Sequence, residues 1–125
     1  MIFLYNFQPR FVPLIESGAK LQTIRPLRTD NRRPCAGDMA HLYVYLRTAR
    51  TRLIAKREVV RVRSIIIDLA EPNPIIIAAA PVPRSAMGDF AKADGFANVA
   101  EFVKFFSEQY GSKMHGHIIQ WAPST

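Results

Sequence analysis

Cysteine is almost missing from these 125 residues: Cys35 stands alone, so the chain forms no internal disulfide and no cysteine-based metal site. It follows Pro34 in a polar turn. There it reads as a free thiol suited to a reducing compartment, and a cytoplasmic location is expected. Phosphate-cradling glycine loops are missing as well. There is no Walker loop, no dinucleotide glycine fingerprint, and no pair of histidines four apart enclosing a glutamate. His115 and His117 are two apart and face one side of a strand, but no further ligands lie near them in the sequence. Neither a metal nor a cofactor is therefore expected.

Long apolar runs are also lacking. The opening Met1-Ile2-Phe3-Leu4-Tyr5 is too short for a signal peptide core or a membrane span. The isoleucine triplets at 65–67 and 75–77 are interrupted by Asp68, Glu71 and Pro72, which makes them core strands. A protein that stays off the membrane is expected. Acid is scarce, with ten Asp and Glu against seventeen Lys and Arg, for a net charge of +7. Twelve of the seventeen are arginine, the side chain suited to bidentate phosphate contact and to stacking on bases. Such a balance favours a polyanionic partner, with RNA or a nucleotide-like ligand foremost. The length fits one domain, 1–125, with a single core and no need of staples. It says nothing of oligomeric state.

What is present reads as strands in the middle and helices towards the ends. Ile2 to Phe7 predicts a strand. Phe11, Leu14 and Ile15 recur at helical spacing between Arg10 and Ser17, and Gly18 supplies the left-handed stop. Lys20 to Arg25 is extended, closed by Pro26, and an Arg-rich loop follows to Pro34. Met39 to Leu46 alternates His41, Tyr43 and Tyr45 with Leu42, Val44 and Leu46. Thr51 to Asp68 is a long strand, with Arg57, Val59, Arg61 and Arg63 on one face and Val60 and Val62 on the other. Prolines bracket a further strand from Ile75 to Ala80. Two helices follow, Ser85 to Ala93 and one through Gln109 opened by Asn98 with Glu101 three residues on. His117 to Trp121 closes the chain as a strand. With no βαβ rhythm, the class is α+β, built on a mixed barrel or curved sheet.

The chemistry concentrates in Gly18-Ala19-Lys20-Leu21-Gln22-Thr23-Ile24-Arg25. On a regular strand Lys20 and Thr23 point to opposite sides, so only a turn near Gly18 brings them together. A lysine amine serves as base to a threonine hydroxyl only when its pKa is pulled down from about 10.4, by burial or a neighbouring cation such as Arg25. From spacing alone, phosphate binding by Lys20 and Arg25 is favoured over catalysis. Asp94, before Gly95, reads as a helix-end carboxylate.

The G-x-K-x-x-T-I-R segment at Gly18–Arg25, then Gly37-Asp38, then Ala93-Asp94-Gly95-Phe96 with Glu101-Phe102 and Phe105-Phe106, resembles an ASCH domain of the PUA-like superfamily. The resemblance spans nearly the whole chain, from Phe11 to Trp121. It implies a PUA-like mixed β-barrel flanked by short helices, with a basic cleft for RNA or a modified nucleoside. Some small bacterial members are amidohydrolases that remove the acetyl group of N4-acetylcytidine. The resemblance assigns Lys20, Thr23 and an acid matching Asp94 to catalysis. Those enzymes carry glutamate at the last position, and Asp94 reaches about 1.5 Å less far. Glu101 is the alternative acid. In the hydrolase reading Thr23 attacks the acyl carbon or orients water, Lys20 moves the proton, and Arg25 or amides near Gly18 face the oxyanion. Arg25, Arg28, Gly18 and Tyr43 are expected to contact RNA or substrate. The alternatives are a non-catalytic RNA-binding module, with Tyr43, Tyr45 or Trp121 stacking on a base, and, more remotely, a ribonuclease.

Overall fold

The computed structural model describes residues 1–123 and is a mixed α+β domain of seven strands and three α-helices. Strand β1 (Ile2–Phe7) alternates exposed and buried positions, turning Phe3, Tyr5 and Phe7 inward. Pro9 opens a short 3-10 turn that runs into α1 (Val12–Ser17), where Val12 and Ile15 are buried. Gly18 stops the helix at φ 83°, a left-handed conformation that costs glycine nothing.

Strands β2 (Gln22–Pro26), β3 (Met39–Val44), β4 (Arg52–Asp68), β5 (Ile75–Ile77), β6 (Ala80–Pro81) and β7 (Lys113–Trp121) complete the sheet. Strand β4 is the spine. Its first part pairs antiparallel with β3, which runs parallel to β1 on its other side. Its second part pairs with β7 on one edge and β5 on the other. The last strand, β7, in turn carries β2, with Gln22 opposite Gln120 and Pro26 opposite Gly116. The ladder thus runs β1-β3-β4-β7-β2, and among the described residues no ladder joins β1 to β2.

Helices α2 (Arg84–Ala93) and α3 (Val99–Tyr110) pack on each other, and α3 also meets β7. Asn98 caps α3, its side-chain oxygen accepting the Glu101 N–H at 2.9 Å; losing such a cap costs about 1 kcal/mol. Between the helices Phe96 is surrounded by Phe11, Phe102, Phe105 and Phe106, with ring centroids 5.2–6.2 Å away. These rings join the β1, β4 and β7 side chains in one contiguous core.

Three sequence expectations are corrected. Strand β3 ends at Val44 because Tyr45 turns to φ 55°, which takes Tyr45 and Leu46 off the ladder. The alternation along β4 is broken by a register shift between Val59 and Arg61, leaving Val59 buried at 0% exposure and Val60 at 48%. The stretch from Ile75 to Ala80 is a hairpin, not one strand. Ala78 and Ala79 turn with positive φ so that β6 folds back on β5.

Candidate functional site

The turn after Gly18 sets the site. Ala19 is exposed, and the Lys20 N–H donates to the Leu14 carbonyl at 2.9 Å, folding the chain back over α1 before β2 begins. Lys20 is thereby driven inward, to 2% exposure, with its Nζ 4.9 Å from the Phe11 ring centroid and 5.7 Å from that of Phe7. Its amine donates to the main-chain carbonyl of Asp94 and stands 3.5 Å from Asp94 Oδ1. Gln22, two residues along on the same side, donates to that Oδ1 at 3.4 Å. Gly95 makes room for the lysine. Its φ is +99°, and a Cβ there would lie 3.0 Å from both Lys20 Cδ and the Phe11 ring.

Thr23 and Arg25 occupy the other side of β2. Arg25 Nε donates to Thr23 Oγ1 at 3.0 Å, and Arg25 Nη2 donates to the Asn6 carbonyl at 2.6 Å. The guanidinium also lies over Phe7 and Tyr5, 4.9 and 5.4 Å from the ring centroids. A side chain of β2 thus spans to β1 where no backbone ladder does. Gly116 on β7 lets β2 approach this closely, since a Cβ there would lie 2.0 Å from the Arg25 carbonyl oxygen.

Burial sets the electrostatics. Desolvation pulls the Lys20 amine below its ordinary value, with Arg25 acting in the same direction and the Asp94 carboxylate opposing. Desolvation pushes the Asp94 carboxyl up, against the pull of Lys20 and Gln22. Both partners are shifted towards their neutral forms. The same cause raises the Tyr5 phenol to about 12 and lowers the Arg25 guanidinium. A lowered amine sheds its proton more easily than an exposed lysine does, and so becomes available as a base at lower pH. The Thr23 oxygen already receives the Arg25 hydrogen, so its own hydroxyl hydrogen is directed elsewhere.

Lys20, Thr23, Arg25 and Asp94 line one cavity of about 300 Å³, closed by Phe7, Phe105 and the last turn of α3 at Gln109 and Tyr110. Lys20 and Thr23 reach it together, although no hydrogen bond joins them among the described residues. Gly18 shapes the turn without lining the cavity. Arg28 lines a neighbouring cavity of about 410 Å³ and grips Asp30 through Nε and Nη2 at 3.1 and 2.7 Å.

Four expected contacts lie elsewhere. Tyr43 sits on β3 opposite Leu53 and stands outside both cavities, because β3 is separated from β2 by β1 on one path and by β4 and β7 on the other. Glu101 pairs with Arg10 and does not line the cavity; Asp94 is the acid there. Trp121 is 1% exposed, edge-on to Phe7 in the core, and Tyr45 lies under Arg50. Among the described residues no three His, Cys, Asp or Glu side chains gather to hold a metal. No described helix is long and apolar enough to cross a membrane. Sequence reasoning missed Gln22, Asn6, Phe7 and Tyr110. Only Gln22 left a signal, as a polar residue on the lysine side of a strand flanked by apolar ones.

No family model matches the chain, and no curated protein matches it. One solved structure that resembles it is the crystal structure of hypothetical protein PH0355, at 15% identity and a TM-score of 0.62, with 99% of this chain and 100% of that one covered. That likeness extends to the fold alone.

Proposed function

We propose that the chain is an ASCH-type, PUA-like domain, a barrel with its seam between β1 and β2, that takes a single pyrimidine base into the Lys20–Asp94 cavity and hydrolyses an N4-acyl amide on it. The observation that carries this reading is the convergence of Lys20, Thr23, Arg25 and Asp94 on one cavity, with the lysine amine dehydrated and pulled towards neutrality. A buried, hydrogen-bonded cation and carboxylate are a poor source of stability. Groups with shifted proton affinity in a cleft are instead what acid–base chemistry requires. The cavity volume stands at the lower end of small-ligand pockets, and aromatic rings form part of its wall.

In this reaction the neutral Lys20 amine turns from Asp94 to Thr23 and takes the hydroxyl proton as Oγ1 bonds to the acyl carbon. Arg25, already on Oγ1, faces the negative charge that develops at the carbonyl oxygen. The C–N4 bond then breaks, and the proton on Lys20 passes to the leaving nitrogen, giving cytidine and an acyl-threonine ester. Water, giving its proton to Lys20, attacks that ester and releases the carboxylic acid. Thr23 recovers its hydrogen from the lysine. Asp94 returns the amine to its resting position between turnovers.

Release of cytidine from N4-acetylcytidine, measured beside a Lys20→Ala variant, tests the reading. The expected loss in the variant is about 10²- to 10⁴-fold, the contribution of one positioned proton carrier. Full turnover by Lys20→Ala would overturn it. A second reading, a non-catalytic RNA-binding module, draws on one contact: the lysine amine rests on Asp94 and not on Thr23. It is distinguished by absent turnover together with RNA affinity that falls steeply with salt.

A further inference from the structure

Beside the proposed base cavity lies the 410 Å³ cavity that the hydrolysis does not use. The two share a wall, since Arg25 and Tyr110 line both. Their characters differ. The first surrounds the buried Lys20 and Asp94 side chains, whereas the second has an exposed basic rim. Arg28 stands on that rim, and its acidic partner Asp30 is only two residues away in the same exposed loop. Such a surface pair is worth little and exchanges readily for a stronger anion. His117 projects from β7 into the same space, where burial, aided by the positive fields of Arg33 and His115, holds the imidazole below its ordinary value, as a neutral hydrogen-bonding group. Against the cations Arg25 and Arg28 the cavity wall carries one carboxylate, that of Asp30. Its remaining walls include Leu4, Tyr5, Leu27 and Ile119, apolar surfaces against which a flat ring can rest.

We infer that the second cavity receives the phosphate and the neighbouring nucleotide of a single-stranded polynucleotide whose base occupies the first, so that the ligand is a chain and not a free nucleoside. This rests on the base-binding reading of the first cavity and names its substrate class. The partition fits that use. Arg25 and Tyr110 stand where the sugar–phosphate link must pass between one base and the next, and a guanidinium beside a phenol can contact a phosphate oxygen and a ribose. Arg28 and His117 then flank the phosphate from the far side. The apolar walls take the second base, a contact that tolerates any sequence.

The experiment compares the affinities of cytidine, cytidine 3′-monophosphate, and dinucleotides carrying cytidine at either end, for the full chain and for Arg28→Ala and His117→Gln. The expected result is a dinucleotide that binds about tenfold or more tighter than cytidine, within the range one stacked base contributes. That advantage shrinks as salt is raised and is reduced in both variants. Reading the dinucleotide-to-cytidine ratio within each variant removes any general effect on folding. Equal affinity for cytidine and the dinucleotides would overturn this inference while leaving the base cavity intact. A monophosphate that gains as much as the dinucleotide would reduce the second cavity to a phosphate pocket and overturn the neighbouring-nucleotide assignment. No binding of any of the ligands would overturn both readings together.

Discussion

Lys20 and Arg25 are basic side chains like Arg52 and Arg61, yet the two pairs live in opposite solvents. Arg61 is exposed on β4, and Arg52 meets Glu16 at 3.9 Å, with both side chains 54% exposed. Water satisfies such groups, so β4 carries basic residues at almost no energetic cost and their number locates nothing. Lys20, at 2% exposure, is compensated atom by atom by the Asp94 carbonyl, the Asp94 carboxyl and two aromatic faces. Arg25 is satisfied by Asn6 and Thr23. Net charge therefore suggests the class of partner, while dehydration of particular cations marks where chemistry is prepared.

The contrast breaks most visibly at Asp94. Asp94→Ala removes the side-chain counterpart of a buried amine and is expected to destabilise the protein by about 3–5 kcal/mol in denaturant unfolding. The double variant Lys20→Met, Asp94→Leu is expected to recover most of that loss while abolishing turnover of N4-acetylcytidine. A double variant as unstable as the single one would show that the pair itself holds the fold.

A pH series on the same pair sharpens the point. The folded Asp94 carboxyl is raised above 3.8, so it binds protons that the unfolded chain has released; stability present below 3.8 is lost as pH rises through its folded value. The folded Lys20 amine is lowered from 10.5, so its contribution is present above 10.5 and is lost as pH falls through its folded value. The wild type is thus expected to gain stability relative to the double variant on leaving mid-range pH in either direction. A gap that is constant with pH would contradict the shifts. The smallest effect is at the surface. Arg61→Gln is expected to change stability by about 0.5 kcal/mol or less, and to change cytidine affinity by less than about twofold. A tenfold loss there would move the ligand onto the face of β4.

Local signals were readable where one residue decides the backbone. Gly18 ends α1, Asn98 opens α3, and β4 runs nearly as long as its β-branched content predicts. What escaped depends on partners distant in sequence. The phase of β4 past Val59 is set by where β7 and β3 attach, and the Ala78–Ala79 turn uses residues with no turn preference. In the site, Lys20, Thr23, Arg25 and Asp94 were legible from the spacing of one segment and one resemblance. Their meeting was legible as a condition, a turn near Gly18, but the contacts that hold Lys20 in that turn against Asp94, Gln22 and Phe11 were not. Tyr43 shows the limit of periodicity: alternation tells which side of a strand a residue faces, but not which strands flank it.

The pairing of β2 with β7 has a consequence for how the protein assembles. Gln22 meets Gln120, so the strand carrying Thr23 and Arg25 waits for nearly the last segment of this sequence before it has a partner. Parallel β1–β3 pairing and the β3–β4 ladder span much shorter loops and meet a smaller entropic barrier. During synthesis the cavity consequently forms later than the β1–β3–β4 ladder. An unfinished chain presents its arginines before that cavity exists.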